Sequence, residues 1–244
     1  MVTLGVLSAL LIVGVLDDTM YPTLLGICGG GDANDMLRLA VEGNNLAAVR
    51  RAIARGAEPN APDCWGVSPL SRAATAGDAA ICNELLEHGA DANGGAEYRP
   101  PLICAALHGH ERILDLLLRH GADINATTPN GSTALNIAAS LGQQAFARAL
   151  IAAGADVNAA DVHGWTPLMG AAAKDDCPEL VQALLAAGAR PDAQNDDGDT
   201  ALGVAARDGS HAAVLLLIRH RVSPPRRYLL GVAPPAPSPR PPHC

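Results

Sequence analysis

Aromatic side chains make up only 2% of this 244-residue chain; Phe146 is the lone phenylalanine, and lysine occurs once, as Lys174, against sixteen arginines. With so few rings, Ala, Leu, Val and Ile have to fill the interior. Small aliphatic filling suits thin layers of closely spaced helices better than one thick core, which needs larger side chains to reach native density. Clusters of arginine at helical spacing are missing too. At a net charge of −8 the chain repels a phosphate backbone on average, which excludes nucleic acid as the expected partner. The six cysteines, Cys28, Cys64, Cys82, Cys104, Cys177 and Cys244, form no CxxC pair. A disulfide framework or a zinc site needs closer doublets, so free thiols and no metal are expected. Neither a GxxxxGK[ST] loop, nor HExxH, nor GxSxG occurs, so no enzyme signature and no cofactor is read from the chain.

What the chain has in abundance is one turn. GADIN at 121–125 returns as GADAN at Gly89 and GADVN at Gly154, with weaker echoes GAEPN at Gly56 and GARPD at Gly188. These glycines recur with a period of about 33 residues, and self-similarity at that spacing sets the architecture. Overlaid on their glycines, the units each read as a short helix, a turn, a second helix and a glycine stop. Glycine ends a helix well because it takes positive φ without a Cβ penalty. The Asp and Asn that follow are expected to bond their own backbone and hold the next turn. Ser68-Pro69, Thr166-Pro167 and Pro100-Pro101 put proline at the first helical position, where its missing N–H costs nothing. Thr133-Ala134 and Thr200-Ala201 keep the cap without the proline, so weaker starts are expected there. Cys82 and Cys104 take the phase of Val, Leu or Ile elsewhere and read as small core residues.

The pattern divides the chain into residues 1–31, 32–223 and 224–244. The first part holds the apolar run LGVLSALLIVGVL at 4–16 and a Gly-Gly-Gly linker. That run is short for a bilayer span and has the length of a signal-peptide core, but no Lys or Arg precedes it. A cytoplasmic chain is therefore the expectation, with secreted or periplasmic delivery through residues 1–28 as the alternative, and membrane association only if this segment anchors. The last part, PPRRYLLGVAPPAPSPRPPHC, is dominated by proline and reads as an extended linker.

GVSPLSRAATAG, GWTPLMGAAA and GDTALGVAARDG, joined to the recurring LLxxGADxN turns, resemble the ankyrin repeat across about six units. The first unit, DMLRLAVEGNNLAAVRRAIARGA, lacks the Thr-Pro-Leu half and resembles an amino-terminal cap; the last has Arg221 in place of the stop glycine. The resemblance implies an all-α solenoid of stacked antiparallel helix pairs with loops or β-hairpin fingers projecting from one edge. It implies a non-enzymatic, monomeric adaptor or scaffold that binds a protein on the concave face of fingers and inner helices. An exported effector, or a regulatory subunit or inhibitor of an enzyme, is the alternative.

Carried onto this chain, the fingers supply Cys64, Trp65 and Val67, then Glu97, Tyr98 and Arg99, then Asn130 and Ser132, then His163 and Trp165, then Asp196, Asp197 and Asp199. The inner helices supply Arg72, Thr75, Leu107, His108, Ser140, Leu141, Lys174, Arg207 and Asp208. Tyr98 replaces the usual turn glycine. Aromatic anchors beside the three aspartates suit a partner with a basic patch. The acidic cluster Asp175, Asp176 and Glu179 lacks the further ligands of a calcium loop and reads as solvated. His88, His120 and His220 share one phase before the helix stop and read as helix-end residues rather than a metal ladder.

Overall fold

The computed structural model describes residues 32–63, 66–94, 100–175 and 177–222. Cys28, Cys64, Cys244, Asp176, the apolar amino-terminal segment and the proline-rich tail lie outside these residues.

Five of the six units start where a short polar side chain caps a helix. Asp32 accepts the Asp35 N–H at 2.8 Å and opens α1, Ala33–Glu42. Ser68 caps α3, Pro69–Ala76, Thr166 caps α9, Pro167–Ala172, and Thr200 caps α11, Ala201–Asp208. Helix α5, Pro101–His108, starts on Pro100 without a side-chain cap. The start expected to be weak at Thr133 is instead the most elaborate. Thr133 and Asn136 form a reciprocal capping box at the head of α7, Ala134–Leu141, which compensates for the absent proline. Each of these helices pairs with a second: α2 is Leu46–Ala54, α4 Ala79–Glu87, α6 Glu111–Arg119, α8 Gln144–Ala152, α10 Pro178–Ala186 and α12 His211–Val222.

Packing runs along two rows. The inner row α1, α3, α5, α7, α9, α11 and the outer row α2, α4, α6, α8, α10, α12 each touch neighbour to neighbour. The same inner-helix leucine, Leu70, Leu102, Leu135 and Leu168, is 1% exposed in four successive units. One repeat would leave these side chains wet, so stacking supplies the burial. The five stop glycines all have φ between 82° and 95°, as their role requires. Without one, α12 runs for twelve residues where the other outer helices run for nine.

The aspartates of the repeated turn bond their own backbone as expected: Asp91, Asp123 and Asp156 each accept the N–H two residues on at 2.9 Å. The asparagines do something else. Asn60 Oδ1 accepts the Asp91 N–H at 2.8 Å while its Nδ2 donates to the Gly89 carbonyl at 3.0 Å. Asn93 repeats both bonds with Asp123 and Gly121, and Asn158 repeats them with Arg190 and Gly188. Asn125 accepts from Asp156. Each asparagine therefore clamps the next stop turn rather than its own, because stacking brings that turn's polar backbone within reach every repeat. The recurring motif is a scaffold ladder.

The resemblance allows hairpins in the fingers, but among the described residues the only pairing is the isolated bridge Thr127–Thr133. Five-residue tips are too short for a ladder, and side chains close them instead. Asp63, Thr128, Asp161 and Asn195 each accept an N–H four residues on, at Val67, Ser132, Trp165 and Asp199. Their own N–H groups donate to the carbonyls of the same four residues.

Cys82, Cys104 and Cys177 are thiols outside any disulfide, and all three are fully buried. Burial pushes the Cys82 thiol from its ordinary value of 9.0 up to about 12, with Asp78 and Cys104 adding to the effect. The folded protein thus holds this proton where the unfolded chain has lost it. Its contribution to stability is complete below pH 9 and falls as pH rises from 9 towards 12. Urea midpoints measured across that range are expected to drop, and Cys82→Ala is expected to flatten the drop.

Candidate partner-binding face

Corresponding residues stand at the ends of α3, α5, α7 and α11 and two residues beyond α9: Ala76, His108, Leu141, Asp208 and Lys174, preceded by Thr75, Leu107, Ser140, Arg207 and Ala173. All ten are half-buried or exposed, so a continuous strip of side chains faces solvent beside the fingers.

Ion pairs flank the first end of this strip and include the last. Arg72 pairs with Asp63, whose side chain is only 2% exposed, and lies 3.9 Å from Glu42. Glu42 in turn takes Arg38 at 3.3 Å. This network fastens the second unit's finger to its inner helix and to the unit before. At the other end Arg207 pairs with Asp199 and sits 3.5 Å from Asp208. The Asp199 carboxylate, followed by Asp208, raises the Arg207 guanidinium pKa further and keeps it cationic. Arg207 thus stands in the strip and Arg72 and Asp199 stand beside it, all with partners of their own.

The middle is different. Leu107 is half-buried, His108 is exposed, and Leu141 is 50% exposed. The His108 ring lies 5.6 Å from that of His110, which reaches back to the preceding unit and places Nε2 3.3 Å from the Thr75 carbonyl. The fingers add further exposed side chains. Asn130 is exposed, and its carbonyl accepts the Val162 N–H at 3.0 Å. Val162 itself is 59% exposed. The His163 carbonyl accepts the Asp196 N–H at 2.9 Å, so consecutive tips are bonded to one another. His163 Nδ1 lies 3.8 Å from the Asp196 carboxylate, with both side chains exposed, a geometry worth little in water.

Trp165 is half-buried against the core, with its backbone held twice over. Its N–H donates to Asp161 at 2.8 Å, and its carbonyl accepts from Asn136 Nδ2 at 3.0 Å. Val67 is half-buried, while Lys174 and Asp197 are exposed. Trp65, Glu97, Tyr98 and Arg99 lie outside the described residues.

Val162 is not among the finger residues that the resemblance carries onto the chain, of which Val67 is the one aliphatic member. Its signal was a β-branched apolar residue in a turn where the next unit places Asn195 and Asp196. The tip acceptors Asp63, Thr128, Asp161 and Asn195 were also missed, although each stands three residues before a glycine with φ between 73° and 79°. Among the described residues no group of three or more His, Cys, Asp or Glu side chains is arranged to hold a metal ion. No described helix is long and apolar enough to cross a membrane.

A family model described as ankyrin repeats in three copies matches residues 37–128, 113–195 and 168–228. The solved structure of the human ASB11 ankyrin repeat domain superposes with a TM-score of 0.68 at 29% sequence identity, covering 74% of this chain and 81% of that one. A mouse protein named RelA-associated inhibitor is 46% identical over 54 residues, which is 22% of this chain and 7% of the relative.

Proposed function

The chain belongs to the ankyrin repeat family, a generic protein–protein interaction fold, and from that premise we propose that it is a non-enzymatic binding module that grips its partner between fingers and inner helices in units three to five. One observation carries the reading. The solvent-facing strip is flanked by ion pairs and carries incompletely covered aliphatic side chains in its middle, Leu107 and Leu141 beside His108, to which the fingers add Val162 and Trp165. A partner gains burial there without breaking a salt bridge, and rigid, bonded fingertips lower the ordering cost of association. Lys174, Asn130 and His163 rim this stretch. Asp196 and Asp197 give the rim negative charge, which suits a partner with a basic patch beside an apolar side chain. Val67 extends the surface towards the amino-terminal units. Asp199, Arg72 and Arg207 hold the frame in place.

The test uses the full chain as bait for affinity capture, with quantitative mass spectrometry. Proteins retained by the wild type are expected to be lost with Leu141→Asp combined with Val162→Asp, and kept with Arg112→Glu combined with Arg148→Glu on the outer row. Trp165→Ala is expected to cost about 1–3 kcal/mol of affinity, chiefly through faster dissociation. The reverse pattern, loss with the outer-row variant and retention with the inner one, overturns the placement. The likeness to a relative named as an inhibitor favours a second, narrower reading, that the bound partner is thereby held inactive. Activity of a captured partner, measured with and without the chain, decides between passive scaffolding and inhibition.

A further inference from the structure

The last unit leaves uncovered what every earlier unit buries. Leu202 is half-buried where its four counterparts are 1% exposed, and Ala206 is exposed where Ala74, Ala106, Ala139 and Ala172 are sealed. On α12 Val214 is half-buried, while its counterparts from Val49 to Val181 are at most 1% exposed, and Ile218 is 45% exposed. The buried Ser210 hydroxyl at the head of α12 has no partner. A terminal repeat normally turns a polar face outward. This one presents the apolar stacking surface of an interior repeat.

The chain itself offers a cover. Residues 230–233 read LGVA, identical to residues 202–205 at the head of α11, and Leu229 stands where Ala201 does. The copy arrives a few positions earlier than the period of about 33 residues would bring it, as an inner-helix sequence preceded by a shortened finger sequence. Pro234-Pro235 then break it off where Ala206-Arg207 continue the original. Reach is sufficient: six residues separate Val222 from Leu229 and span up to about 20 Å. Val214 lies eight residues back along α12, about 12 Å away. No other stretch between 223 and 244 has three consecutive apolar side chains larger than alanine, as Tyr228, Leu229 and Leu230 do.

We propose that residues 228–233 cover the end of the array, over Leu202, Ala206, Val214 and Ile218. The occupant is the chain's own segment, tethered at the edge of the surface it covers, so its effective concentration exceeds that of any free partner.

Hydrogen exchange on the full chain tests this. Leu230→Asp with Val232→Asp is compared with a control of equal charge, Pro237→Asp with Pro241→Asp. Amides of α11 and α12 are expected to exchange about tenfold faster or more in the first variant only, since two buried aliphatic side chains are lost from the end repeat. Amides of α1 to α6 should not change, which separates local uncovering from failure to fold. Unchanged α11 and α12 exchange in the Leu230/Val232 variant overturns the proposal. So does protection of α12 that rises with protein concentration in wild type and variant alike, which would assign the face to a second copy.

Discussion

Replacing Asn136 by leucine is expected to lower the stability of the array by about 2–4 kcal/mol, although the two side chains are similar in size. Asn136 is 3% exposed, and both its side-chain oxygen and its nitrogen are engaged. Its Oδ1 accepts from the Thr133 N–H at 3.0 Å and the Thr133 hydroxyl at 2.6 Å. Its Nδ2 donates to the carbonyls of Ala159 and Trp165, both at 3.0 Å. Leucine fills the space and satisfies none of these groups. The position itself accepts an apolar side chain, since Ile103 and Met169 occupy it in the neighbouring units. The cost therefore comes from the stranded Thr133 and Ala159 groups rather than from the site. A double-mutant cycle with Thr133→Val checks this: the two changes together should cost clearly less than their sum. A urea-unfolding difference below about 0.5 kcal/mol for the single variant, the size of an ordinary surface substitution, would contradict the account.

That residue also marks how far the sequence could be read. The stop glycines, the Ser and Thr caps and the buried Leu/Ala phases were legible because each follows from a local rule, positive φ, capping or helical periodicity, repeated often enough to be unmistakable. The Asn clamps and the Asn136 bridge were not. Their partners belong to the following repeat and come within reach only once units stack, so a rule based on neighbouring backbone assigned Asn93 to its own turn. The same limit applies to the candidate face. Arg72, Asp199 and Arg207 look like free charges in the sequence, and stacking and finger closure pair them with one another or with Asp63. Val162 looks like turn filler, and its exposure emerges only when the fingertip is built.

Between the fingers of units five and six, alanine at Gly164 is expected to cost about 2–5 kcal/mol, beyond the cost of alanine at Gly198. Both glycines have left-handed backbone, with φ of 74° and 79°, so each substitution carries a similar conformational strain of about 1–2 kcal/mol. Their surroundings differ. A Cβ on Gly164 would sit 2.9 Å from Asn195 Cα and 3.2 Å from the Gln194 carbonyl, whereas one on Gly198 would meet nothing within 4 Å. Atoms of the neighbouring backbone yield less readily than a side-chain tip, which adds an overpacking cost of about 1–3 kcal/mol. The finger has one other way to relieve the clash, which is to move away from its neighbour. That motion would stretch the bond between the His163 carbonyl and the Asp196 N–H, now 2.9 Å, and separate Trp165 and His163 from Asp196 and Asp197. Thermal unfolding and partner capture should therefore report together: Gly164→Ala lowers both the melting temperature and retention of the partner, while Gly198→Ala lowers the first slightly and leaves the second intact. Equal losses in the two variants would mean that backbone strain alone governs these turns and that the close approach of the fingers contributes nothing to the face.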